Sequence, residues 1–171
     1  MANKKGTGLM LVGADIPPEK EADFNKWYQE EHLQELLGVP GILNAARYEA
    51  TKSGPKHLAV YELENVDVVN TDAFKNRPRT EWGSRVSPSL IGTNFFNLVL
   101  DMIHPSALTD DIAGSDMANA LQIGRMGVPA ANDDEWNKWY SGVYVPNYEK
   151  CPGVIRGRRW RAVKGEPRYA T

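Results

Sequence analysis

The chain is nearly without cysteine. Its one thiol, Cys151, has no intrachain partner, so no disulfide framework is possible and a reducing compartment is expected. Histidine is scarce as well: His32, His57 and His104 are the only three, and they lack metal-ligand spacing. With no CxxC pair either, no metal site is expected. Positive charge is not in surplus. The net charge of −2 offers nothing to neutralise a phosphate backbone, which argues against nucleic acid as a partner. Long apolar runs are missing: Leu9–Val12 is too short for a signal peptide core, and no stretch approaches a membrane span. A cytoplasmic protein with no membrane contact is the expectation. Gly6-Thr7-Gly8 lacks the spacing of a dinucleotide fingerprint, and there is no GxSxG elbow. What remains is an ordinary globular composition: 171 residues, 42% hydrophobic and 25% charged, enough for a real core.

The chain does contain a repeat. Asn25-Lys26-Trp27-Tyr28 returns as Asn137-Lys138-Trp139-Tyr140, an offset of 112. The same offset pairs Pro40-Gly41 with Pro152-Gly153, Arg47 with Arg159 and Ala50 with Ala162. Residues 23–50 and 135–162 share 8 identities in 28 ungapped positions. Average residue usage would give about two. Two unrelated amphipathic helices would not keep register through helix, turn and strand.

The first copy reads strand, helix, strand, strand, helix, strand. Gly8–Ala14 is a short apolar run, hence a buried strand. Pro17-Pro18, followed by Glu19 and Glu21, starts a helix that continues to about Leu37 and ends at Gly38 and Pro40-Gly41. Strands are expected at Ile42–Ala50 and His57–Leu63, a second helix at Asp67–Arg85 broken near Asn76-Arg77-Pro78, and a fourth strand at Phe95–Ile103. That order is the ferredoxin-like βαββαβ motif. It leaves one sheet face bare, and a second such sheet is the natural cover. The fold class expected is therefore α+β: two ferredoxin-like repeats packed sheet to sheet. The first repeat spans 1–103, a linker 104–118, and an incomplete second repeat 119–171. In the second, a strand is expected at Ala120–Met126, a helix at Asp133–Glu149 and a strand at Val154–Val163. Either the chain continues beyond Thr171 or a partner chain, as in a homodimer, supplies the missing edge. The first is favoured here.

Trp27-Tyr28-Gln29-Glu30-Glu31-His32, then Val39-Pro40-Gly41 and Arg47-Tyr48, resembles the EthD-like members of the dimeric α+β-barrel superfamily. The resemblance covers the whole first copy and the part of the second that is present. It implies facing four-stranded sheets, a pocket between sheet and helix, and one chain doing what relatives do by dimerising. Related barrels include cofactor-free cyclases, lactone isomerases, monooxygenases and decarboxylases. It also implies that His32 points into the pocket.

An imidazole titrates near neutrality and suits general acid or base work. Near a helix C-terminus it is equally suited to capping a carbonyl. Only the first copy keeps it, since Tyr144 stands at the equivalent position. Tyr28 lies four residues earlier, on the same helix face if the helix is regular. It recurs as Tyr140, and so do Trp27 and Arg47 as Trp139 and Arg159, which favours packing for all three. Arg47, if inward, can bind a carboxylate or a phenolate, and otherwise pairs with Glu31, Glu49 or Glu62. His57 opens a strand and either lines the pocket or sits at an exposed strand end. Trp82, among Arg77, Arg79 and Arg85, is placed to close the pocket over an apolar ligand, with an arginine meeting an anion. The basic run Arg156–Lys164 reads as a solvated strand face, and His104 as a solvated linker residue.

The function expected is a cofactor-independent enzyme moving a proton on an aromatic or unsaturated organic acid or ketone: an isomerase, cyclase or decarboxylase. His32 and Tyr28 are the catalytic candidates, and Arg47, Trp82, Trp27 and His57 the substrate contacts. A non-catalytic binder and a barrel monooxygenase are the alternatives. No cofactor is expected, and nothing in the residues speaks for haem.

Overall fold

The computed structural model describes residues 3–171. Strand β1 (Gly8–Asp15) leads into α1 (Pro18–Trp27), whose Pro18 at the first helical position needs no amide partner. The helix then passes through a single π turn at Tyr28–His32 before α2 (Leu33–Leu37). In that turn the Leu33 N–H donates to the carbonyl of Tyr28, five residues back rather than four. Gly41, at φ 90°, makes the turn into β2 (Ile42–Glu49). A Cβ there would come within 2.6 Å of the Val68 side chain. Strand β3 (His57–Leu63) follows.

The expected second helix is in pieces. A 3₁₀ turn at Val66–Asn70, α3 (Asp72–Lys75) and α4 (Glu81–Val86) are separated around Pro78, which cannot donate a helical hydrogen bond. The Thr80 hydroxyl caps the restart by accepting from the Gly83 N–H at 2.9 Å. A short α5 (Pro88–Ile91) precedes β4 (Thr93–His104). His104 thus ends a strand and is half-buried, not a solvated linker residue, because β4 runs on to pair it with Arg159.

Beyond the short α6 (Asp110–Ala113), the expected strand at 120–126 shrinks to β5 (Arg125–Met126). A helix again runs through a π turn: α7 (Asp133–Trp139), the turn at Tyr140–Tyr144, and α8 (Val145–Glu149). Strand β6 (Arg159–Lys164) starts later than Val154, and β7 (Tyr169–Ala170) closes the described chain. The late start has a cause. Arg156 turns out to Asp111 at 2.5 Å, and Arg158 turns under the sheet to Glu62 at 2.7 Å, so 156–158 follow those side chains and not a ladder. Nor is the basic run a solvated face. Arg159 is only 1% exposed, its guanidinium bonded to Asn137 and Ser141 and lying over the Trp136 and Tyr140 rings.

Among the described residues, seven strands form one antiparallel sheet, ordered β2-β3-β1-β4-β6-β7-β5. The seam between the halves is β4–β6, in which Val99 faces Lys164 and Leu100 faces Ala162, with a register shift between them. Alternation along the strands sorts side chains into two cores. Met10, Ala14, Ala59, Tyr61, Leu63 and Val99 face the helices and pack on Phe24, Trp27, Tyr28 and Leu36. Leu9, Leu11, Val60, Leu98 and Leu100 face the other way and pack on Trp160 and Ala170 of the second half. The architecture is α+β: one continuous sheet, whose face turned away from α1 and α2 is covered by Trp160 and Ala170 of the second half. At about 25 cal/mol per Å² of apolar surface, and with Trp160 4% exposed, this second core is a main source of cohesion between the halves.

Several details recur at the 112-residue spacing. Arg47 donates to Asn25 at 2.6 Å and lies over the Phe24 and Tyr28 rings. Arg159 donates to Asn137 at 2.7 Å and lies over the Trp136 and Tyr140 rings. His57 meets Glu21 at 2.7 Å, and Tyr169 meets Asp133 at 2.8 Å. Gly41 and Gly153 share φ values of 90° and 89°.

Candidate active site

The π turn determines where the key side chains go. With the helix widened by one residue, positions five apart share a face. Trp27 and His32 therefore stack, ring centroids 4.3 Å apart and planes at 20°. Tyr28 meets the His32 ring edge-on at 5.0 Å and 90°. Trp27 is fixed in turn: its indole N–H donates to Glu31 Oε1 at 2.9 Å. The Thr80 hydroxyl donates to the same carboxylate oxygen at 2.5 Å. One carboxylate thus ties the indole to the start of α4.

His32 is mostly buried, and its Nδ1 lies 3.1 Å from Glu35 Oε2. A carboxylate accepts only, so Nδ1 carries the proton and Nε2 is left as a base. Nε2 has no hydrogen-bond partner among the described residues. Burial pulls the imidazole below its ordinary value, and the bond to Glu35 pulls the other way without overcoming it. The lowered value favours the uncharged ring, the form that accepts a proton.

His32 and Trp27 line a cavity of about 440 Å³ between the helices and the sheet. Its floor is Met10, Asn97 and Val99 of β1 and β4. Its cations are Lys75, Arg77, Arg79 and, from β6 of the second half, Lys164. Glu35 is the one acidic side chain in the lining, and it is already engaged with His32 and, at 3.7 Å, with Arg77. The volume suits a small ring compound, and the charge suits an anion.

The other expected site residues lie elsewhere. Tyr28, Arg47 and His57 border a separate hollow of about 10 Å³, too small for a ligand. Tyr28 is buried, accepting from the Tyr61 hydroxyl at 3.1 Å, and its phenol is pushed up by that burial. Arg47 pairs with Asn25 and not with Glu31, Glu49 or Glu62, because its face of the sheet carries it under the helix. His57 is buried, not an exposed strand end: Glu21 binds it and the Phe24 ring meets it at 5.1 Å. Trp82 is outside the lining. Its indole donates to Asp23 at 2.9 Å and, with Arg85 on the same carboxylate, fastens α4 to α1. Its neighbour Gly83 is the one that borders the cavity.

Sequence reasoning did not single out Glu35, Asn97 or Lys164. Glu35 was within reach of it, three residues after His32 on a helix. Asn97 and Lys164 required the strand order and the register shift at the seam. Among the described residues, no group of three or more His, Cys, Asp or Glu side chains is placed to hold a metal, and no helix is long and apolar enough to cross a membrane.

No family model matches the chain, and no curated protein matches it. Solved structures do match it. One is described as an antibiotic biosynthesis monooxygenase from Nitrosomonas europaea, 14% identical, with a TM-score of 0.39, covering 59% of this chain and 95% of that one. A likeness of that degree carries no chemistry across.

Proposed function

We propose that this cavity is the active site of a cofactor-independent enzyme that moves a proton on a small aromatic or unsaturated organic acid or ketone, an isomerase, cyclase or decarboxylase. The observation that carries the reading is the neutral, carboxylate-oriented His32 stacked on Trp27 at the wall of a cationic cavity. In an isomerisation, His32 Nε2 takes a proton from the carbon next to the carbonyl. The electron pair moves onto the carbonyl oxygen, where the surrounding lysine and arginine charges stabilise it, and the imidazolium returns the proton at a new carbon. Trp27 holds the ring in place, and Tyr28 braces its edge.

The same reading takes the chain as a tandem of two EthD-like, ferredoxin-like modules, 1–103 and 119–171 about a linker. The recurrence of the Arg–Asn and His/Tyr–carboxylate pairs at one spacing supports it. The first module keeps the imidazole, and the second supplies cover and Lys164.

The test is turnover of a panel of unsaturated and aromatic acids and ketones, with solvent-deuterium exchange read by NMR, for wild type and His32→Ala. Wild type should exchange and convert at least one member, and the variant should lose about 10²–10⁴-fold. Equal rates remove His32 from the mechanism. Ligand-dependent stabilisation without turnover makes the protein a binder, and oxygen uptake makes it an oxygenase.

A further inference from the structure

Four cationic side chains line this cavity, Lys75, Arg77, Arg79 and Lys164, against the single carboxylate of Glu35. Arg77 is otherwise held in place: it donates to the Phe74 carbonyl and lies over the Phe74 ring at 4.0 Å, leaving Nε toward Glu35 at 3.7 Å, too far for a hydrogen bond. Lys164 has no acidic partner within ion-pair distance among the described residues, and the seam opposite Val99 brings it to the lining.

We infer that Arg77 and Lys164 form an anchor for a ligand carboxylate. The substrate class is then an organic acid rather than a neutral ketone. This rests on the cavity being the ligand site and narrows what it takes. A carboxylate meeting the Arg77 guanidinium and the Lys164 ammonium answers positive charge that Glu35, shared between His32 and Arg77, does not balance. The site then spans both halves of the chain, since Lys164 belongs to β6.

The experiment is calorimetric titration at low salt with 3-hydroxybenzoate and 3-hydroxybenzamide, on wild type, Lys164→Gln, Arg77→Gln and His32→Ala. Lys164 is exposed, so Lys164→Gln leaves folding intact. In wild type the hydroxy acid should bind about tenfold tighter than its amide, the worth of one charge-assisted hydrogen bond. Lys164→Gln and Arg77→Gln should each erase most of the preference for acid over amide, whereas His32→Ala should retain it. Acid and amide binding alike, a preference that survives Lys164→Gln, or no binding of any probe at millimolar concentration would each overturn the anchor. The turnover of His32→Ala is read separately, so the anchor and the proton carrier can fail independently.

Discussion

The chemistry of His32 comes from its neighbours. Glu35 fixes the proton on Nδ1, burial lowers the basicity of the ring, and Trp27 sets its plane. Because the bond and charge of Glu35 raise the His32 value while burial lowers it, Glu35→Gln should lower it further. The acid limb of kcat/KM, which reports the free base, should sit below the usual histidine range in wild type and shift to still lower pH in Glu35→Gln. A pH–rate profile of the two proteins checks this, and a limb that moves upward would contradict it. Thr80 is a second instance of one atom in two roles, capping α4 and holding Glu31. Thr80→Val should cost about 1 kcal/mol as a lost cap, read as a lower urea midpoint. It should also loosen Trp27, read as a broadened or shifted indole N–H resonance.

At the scale of elements, the π turn at Tyr28–His32 is the decisive local feature. An alanine inserted after Gln29 puts His32 six residues beyond Trp27, a spacing that takes the two rings off one helix face. Circular dichroism should change little, while turnover falls to the level of His32→Ala. Removal of Gln29 instead puts them four apart, the regular helical spacing that keeps the stack, so that variant should retain far more turnover. Equal losses in the two variants would mean that the turn does not set the geometry. Nothing in the apolar spacing reveals this turn, because one added residue alters the hydrogen-bond pattern without altering which residues are hydrophobic. By contrast, β1, β3 and the start of α1 were legible, since a bare apolar run, a Ser-Gly-Pro turn before His57 and Pro17-Pro18 are local signals. The site was legible only in part. His32 and the Arg77–Arg79 run were visible as residues, but Asn97 and Lys164 join the cavity through strand order. Lys164 is further displaced by the register shift at Val99/Leu100, which defeats simple alternation. The same limit explains Arg159: its burial under aromatic rings follows from packing of the second helix, which composition cannot show.

At the scale of the molecule, a buried ion pair ties the halves together. Arg158 donates to Glu62 at 2.7 Å and to the Gly6 carbonyl at 2.6 Å, and lies over Trp160. Glu62 is 3% exposed, and burial raises its carboxyl value even against the pull of Arg158. Arg158→Met alone should destabilise by about 3–5 kcal/mol, since it strands a buried carboxylate. The double variant Glu62→Leu/Arg158→Met should come within about 1–2 kcal/mol of wild type or exceed it. Denaturant titrations of the three proteins decide this, and a double variant as weak as the single one would show the pair to be a net source of stability. The pH sign follows from the raised value. The contribution of Glu62 is whole below the ordinary carboxylate range and declines as pH rises through the raised value, so Glu62→Gln should flatten that part of the stability profile.

Strand β4 has a neighbour on each edge, β1 on one side and β6 on the other, and its Val99 also floors the cavity. A molecule clasped between Arg77 and Lys164 would therefore act as a stitch across that join. By reciprocity, whatever tightens the join must also tighten the grip on the molecule. Backbone amides along the β4–β6 border should then exchange with heavy water more slowly when the cavity is filled, and would serve as a gauge of occupancy independent of turnover.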